Sequence, residues 1–165
     1  MTQTLSNLIE SLREELKQYG ELLAQLDHQQ QLVVHRQTRD LLQSVSGVNM
    51  QADTVQAARR EREQHQRHVA QHLKLGETAV FADMLPLLPP QYQPLLQALV
   101  EENNALLVRV QQRARQNQLL MSHAVELMQR FINAILPGAN PTTYNDAGRL
   151  PASSLTPNSL YEAVG

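Results

Sequence analysis

Three histidines at helical spacing are the side chains in this sequence best suited to bind a metal. His65, His68 and His72 fall on one side of a predicted helix, and imidazole is a common zinc ligand. No carboxylate lies at ligand spacing among them, and no second pair of candidate ligands is obvious elsewhere. A solvated helix face therefore explains the histidines better than a metal site, and we predict neither a metal nor a cofactor.

The sequence contains none of the motifs that mark a catalytic centre. It has no glycine-rich phosphate loop, no HExxH and no Glu-x-x-His pair of the di-iron type. It has no cysteine, which excludes disulfides, thiolate metal sites and a cysteine nucleophile, and which fits a reducing cytoplasm. We predict that the protein is not an enzyme.

Charge and hydropathy argue against nucleic acid and membrane as partners. The net charge is −2, and the arginines near the histidines alternate with glutamates. The first twelve residues lack the basic-then-apolar layout of a signal peptide, and no apolar run approaches the length that spans a bilayer. We expect a cytoplasmic protein. The nucleic-acid alternative would bind in a salt-dependent manner through Arg59, Arg60, Arg62 and Arg67.

The spacing of apolar residues predicts helices almost throughout residues 1–136. Helices are expected at about 4–35 and 39–74, with a short one at 78–85 and a long one at 90–136. The first break is placed near residues 35–40, with Gly47 as the alternative. The predicted fold is all-α, an elongated antiparallel helical bundle or coiled coil of three long helices plus a short helix. Residues 137–165, rich in Pro, Ser and Asn, are predicted to form a flexible, irregular tail.

The long helix carries more apolar surface than one partner helix would cover. One heptad position holds Val100, Leu107 and their successors, and the other starts at Leu96 and is interrupted only by Asn103 and Asn117. Asparagine in the row of core positions between two helices, the seam, fixes the register of the helices at some cost in stability. Past Asn117 the apolar arc widens. We therefore expect partner helices along its length and a further partner at its C-terminal third.

Several segments resemble the FlgN family of flagellar export chaperones. The resemblance lies in the run Phe81-Ala82-Asp83-Met84-Leu85-Pro86-Leu87-Leu88-Pro89, in Leu95-Leu96 and Leu99, and in Asn117-Gln118-Leu119-Leu120. A further element, Thr143-Tyr144-Asn145-Asp146-Ala147-Gly148-Arg149, is similar to one in the family's flexible tail.

The resemblance implies a cytoplasmic chaperone of type III export. Such a protein binds the C-terminal helical segment of hook–filament junction (hook-associated) proteins, prevents their premature assembly and delivers them to the export gate or the export ATPase. An over-wide apolar arc can accept such a segment as an extra helix. The expected client-binding residues are Leu120, Ala124, Leu127, Met128, Phe131, Ile132, Ile135 and Tyr144.

Other interpretations of the same apolar residues stay open. These side chains could pack on the second helix or on a dimer mate, because core packing is the default for apolar stripes. Residues 155–164 could occupy the client groove of their own chain or of a neighbour, which would give self-association through the tail. A coiled-coil protein that builds an assembly without any client is the alternative function.

Overall fold

The computed structural model describes residues 2–76 and 78–135. Within them the chain forms α1 (Thr2–Val34), α2 (Thr38–His72), α3 (Phe81–Met84), a 3-10 turn (Leu85–Leu87) and α4 (Gln93–Ile135). These residues contain no strand, so the all-α prediction is confirmed. The predicted tail lies outside the described residues.

A left-handed arginine ends α1. Arg36 has a φ of 55°, and the N–H of the next residue, Gln37, donates to the carbonyl of Leu32 at 3.0 Å. This bond is the six-to-one hydrogen bond of a Schellman motif, which more often uses glycine at the left-handed position. Gly47, the alternative break, lies inside α2.

A second left-handed residue ends α2 in the same way. Lys74 has a φ of 60°, and the N–H of Leu75 donates to the carbonyl of Ala70 at 2.9 Å. The sequence predicts the break at Leu75-Gly76, whereas the chain already turns at Lys74. The difference arises because a cationic side chain near a helix C-terminus is favoured by the macrodipole, and such a residue can replace glycine at a modest cost.

Helix α1 lies at the centre of the bundle and packs against both α2 and α4. It runs antiparallel to α2: Gln18 pairs with Gln51 at 2.7 Å, whereas Glu15, earlier in α1, pairs with Arg62, later in α2, at 2.9 Å. Because α1 supplies most of the contacts that the other two helices make, it positions them both.

Helix α4 runs parallel to α1 in one constant register. The amide of Asn103 donates to the carbonyl of Leu12 at 3.0 Å, and the amide of Asn117 donates to the carbonyl of Leu26 at 2.8 Å. Both pairs are separated by 91 residues in the sequence. The two asparagines that interrupt the heptad therefore bind the backbone of the neighbouring helix two heptads apart.

The buried apolar residues form two clusters along the bundle. The first cluster joins the start of α1 to the end of α2, the α3 segment and the start of α4, and includes Leu5, Leu8, Leu12, Val69, Met84 and Leu96. The second cluster joins the later part of α1 to the first half of α2 and the middle of α4, and includes Tyr19, Leu22, Leu26, Val48, Val55 and Val110. Neither cluster extends past Ala114 on α4.

Candidate functional site

The row of α4 side chains that faces α1 continues past the end of α1. Leu96, Asn103, Val110 and Asn117 are buried, and the same heptad position leads on to Ala124 and Phe131. The register places Val34, the last residue of α1, level with Val125. At 1.5 Å per residue, about 15 Å of α4 extends beyond α1. Among the described residues, the row therefore has no partner beyond the end of α1, although its apolar pattern continues.

Every α4 side chain from Ser122 to Ile135 is exposed. Phe131 is 65 % exposed, a high value for the largest apolar side chain on this part of the helix. We call the apolar side of this segment, together with the half-buried Leu120, the distal face. Its members are Leu120, Ala124, Leu127, Met128, Phe131, Ile132 and Ile135.

The distal face contains seven of the eight client-binding residues expected from the sequence. Six of the seven are exposed, so within the described residues they do not pack on α2 as core residues would. Leu120 is half-buried at the end of the α1 contact. Tyr144, the eighth, lies outside the described residues. An exposed apolar stripe with polar flanks is a feature of binding surfaces, and on this helix it continues a packed seam.

Helical geometry separates the distal face from other exposed apolar side chains of α4. Leu119 is 56 % exposed but follows Asn117 by two residues, which puts it on roughly the opposite side of the helix. The polar flank of the segment holds His123, which lies 3.7 Å from the Glu126 carboxylate, and Arg130. Leu119 therefore provides a matched reference position for substitutions in the distal face.

A buried polar layer separates the two core clusters. The Glu15 side chain is 4 % exposed and pairs with Arg62 at 2.9 Å. The hydroxyl of Tyr19 donates to Glu15 at 3.3 Å. Burial raises the pKa of Tyr19 to about 12, and the negative charge of Glu15 adds to the rise.

The polar layer also fixes the segment between α2 and α4. Arg62 donates to the side-chain oxygen of Gln66 at 2.8 Å, and Gln66 donates to the carbonyl of Ala79 at 2.9 Å. An open cleft of about 460 Å³ between α2 and α4 is lined by Arg62, Gln66, Phe81 and Asn103, among others. Hydrogen bonds thus connect α1, α2 and the segment before α3 in one network.

The sequence pattern did not predict this layer, because the solvated helix face was inferred for the histidines and Arg62 was considered only as a nucleic-acid contact. Arg62 is instead largely buried. The ion pairs weaken the nucleic-acid alternative, since Arg59 pairs with Glu63 at 3.2 Å and Arg62 with Glu15. The signal that could have identified the pair is Glu15 itself, a carboxylate at helical spacing from the core positions Leu12 and Tyr19 of α1.

The three histidines line a shallow surface depression between the start of α1 and the end of α2. His65 and His68 have ring centroids 6.3 Å apart, and Gln3, Thr4 and Asn7 complete the lining. Among the described residues no three His, Asp or Glu side chains are arranged to hold a metal ion. In the same part of the chain, no helix combines the length and apolarity needed to cross a membrane.

A helical bundle with an exposed apolar helix face has the kind of surface that helix-binding proteins present. The protein family described as FlgN protein matches residues 1–152, and the chain belongs to that family. FlgN proteins are chaperones of flagellum assembly that bind flagellar proteins. Searches among curated proteins and among solved structures gave no match.

Proposed function

We propose that this protein is a cytoplasmic chaperone of flagellar type III export that binds the C-terminal helical segments of hook–filament junction proteins through the distal face of α4. Bound clients are kept from premature assembly and are delivered to the export gate or the export ATPase. The family membership supports the chaperone role. The observation that carries the location of the site is the seam that continues beyond its partner.

The geometry favours a client helix that takes the place of a longer α1. From Leu96 to Asn117 the seam of α4 is filled by α1. A client helix that continues the path of α1 would meet Ala124, Phe131 and Ile135 in the same register. The unassembled client would then pack its apolar stripe against α4 instead of against other copies of itself.

The chemistry of the distal face suits more than one client. Leu127 and Met128 are flexible side chains that fit different apolar partners, and Met is common on surfaces that accept several ligands. Complete burial of a Leu, Ile or Phe side chain contributes about 1.5–3 kcal/mol. Several such side chains can offset the loss of rotational and translational freedom on binding.

Co-purification tests the proposal. The full chain is expressed with the C-terminal segment of a hook-associated protein from the same genome, and the expected product is a one-to-one complex. Phe131→Asp should abolish the complex while the helical circular-dichroism signal stays unchanged, because Phe131 contributes nothing to the packed clusters.

Leu119→Asp is the matched control. Leu119 is similarly exposed on the same helix but lies away from the distal face, so this variant should retain the complex. Equal losses in both variants would contradict the assigned face. Absence of a complex with any hook-associated segment, together with a stable oligomer of the chain alone, would favour the structural coiled-coil alternative.

A further inference from the structure

We infer that the client segment is an amphipathic helix with an acidic polar rim. This inference rests on the proposed function, because it describes what binds the distal face. Its basis is the distribution of charge between the two ends of the bundle, which the overall charge of −2 conceals.

The end of the bundle that bears the distal face is basic. The bundle divides into two halves one helical turn beyond the level where Gln18 meets Gln51, at Leu22 of α1 and, in the 91-residue register, at Arg113 of α4. One half, residues 22–51 and 113–135, contains five arginines and three carboxylates. They are Arg36, Arg39, Arg113, Arg115 and Arg130, against Asp27, Asp40 and Glu126. The other described residues carry eight basic and ten acidic side chains.

The arginines in this half outnumber the carboxylates that can compensate them. Arg113 pairs with Asp27 at 2.7 Å. The remaining four arginines, Arg36, Arg39, Arg115 and Arg130, form no ion pair with any described residue. The carboxylates left to face these four arginines are Asp40 and Glu126.

Two of these arginines flank the path proposed for the client helix. Arg36 and Arg39 lie at the turn that ends α1, level with the beginning of the exposed part of α4. A helix that continues α1 would therefore pass these guanidinium groups with its polar rim. Glu and Asp in that rim would gain attraction, whereas Lys and Arg would be repelled.

Designed peptides test the rim chemistry without knowledge of the natural client. Three helical peptides of about 18 residues share one Leu/Ile face and carry rims of Glu, Gln or Lys. Their binding to the full chain is measured by fluorescence anisotropy at about 50 mM and about 300 mM NaCl. We expect the Glu peptide to bind about tenfold more tightly than the Lys peptide at low salt, with a smaller ratio at high salt.

A double variant assigns the effect to the two arginines. Arg36→Asn and Arg39→Gln together should remove the preference for the Glu peptide; Asn is chosen because it tolerates the left-handed backbone of residue 36. The matched control is Lys74→Asn and Arg67→Gln. It removes the same charge from the other end, includes the other left-handed residue, and should keep the preference.

The outcomes separate this inference from the proposed function. Equal affinities for the three peptides, all lost in Phe131→Asp, would overturn the acidic rim and leave the binding face in place. A preference for the Glu peptide that the double variant retains would also overturn it. If no peptide and no hook-associated segment binds the folded chain, the proposed function fails and the inference fails with it.

Discussion

At the scale of the residue, Tyr19 shows how burial changes side-chain chemistry in this bundle. Tyr19 is 3 % exposed, and its hydroxyl points at the carboxylate of Glu15. Ionisation would place a second negative charge beside that carboxylate in a poorly hydrated position. The folded state therefore holds the phenolic proton more tightly than the unfolded chain does.

This difference predicts a loss of stability in strong alkali. The pKa of Tyr19 is about 12 in the folded state and 10.0 in the reference state. The contribution of Tyr19 is complete below pH 10 and is lost as the pH rises towards 12, because the folded pKa is the higher one. Between about pH 9 and 11.5 the free energy of unfolding should fall by about 2 kcal/mol more in the unaltered chain than in Tyr19→Phe. Urea unfolding at both pH values measures this, and equal falls would contradict it.

At the scale of the element, two asparagines set the register between α1 and α4. Both donate to α1 carbonyls, and both side-chain oxygens, Oδ1 of Asn103 and of Asn117, are buried without a donor. A buried acceptor without a donor costs free energy. The two asparagines accordingly lower the stability of the bundle but define the alignment of α1 and α4, as polar residues in coiled-coil seams do.

The two asparagines should respond differently to replacement by leucine. Asn103 donates to Leu12 and Leu99, whose carbonyls lie within helices, so Asn103→Leu should raise the free energy of unfolding by about 1 kcal/mol. Asn117 also donates to the buried Gln29 side chain at 3.1 Å. Asn117→Leu would leave the side-chain oxygen of Gln29 without this donor, and should therefore not raise the free energy of unfolding. Urea denaturation of both variants tests this, and equal stabilisation would show that the Gln29 bond contributes nothing.

At the scale of the whole molecule, the packed core and the proposed client-binding face lie in different parts of the bundle. Packed apolar side chains end at Ala114 on α4, and the distal face lies beyond them. The row of α4 side chains that faces α1 is continuous, but α1 ends before the row does. Substitutions on either side of this boundary should therefore affect one property without the other.

A pair of leucine-to-alanine variants tests that separation. Leu8 is fully buried in the first cluster, so Leu8→Ala should lower the free energy of unfolding by about 2–5 kcal/mol. The folded fraction should bind the client segment with unchanged affinity. Leu127 is exposed, so Leu127→Ala should leave stability within about 0.5 kcal/mol and weaken client binding. Thermal unfolding and titration of the client segment measure both quantities, and a loss of stability in Leu127→Ala would place this residue in a core.

Local patterns in the sequence determined the helices and the residues of the distal face. The heptad of α4 and the position of Asn103 and Asn117 are read directly from residue spacing, since helical periodicity is a local property. The same pattern cannot indicate which part of a stripe is covered. Phe131 and Val110 occupy equivalent heptad positions, yet Val110 is buried and Phe131 exposed.

Only the tertiary structure decided that Val110 is buried and Phe131 exposed, because the difference depends on where α1 ends. Arg36 ends α1 in a left-handed conformation, which usually requires glycine and is therefore not predicted at an arginine. The register with α4 then leaves more than two turns of α4 without a partner among the described residues. The Glu15–Arg62 pair was hidden for the same reason, since it joins residues 47 positions apart. Spacing along one helix specifies which side chains share a face, whereas the lengths and alignment of all three helices determine which of those faces is buried.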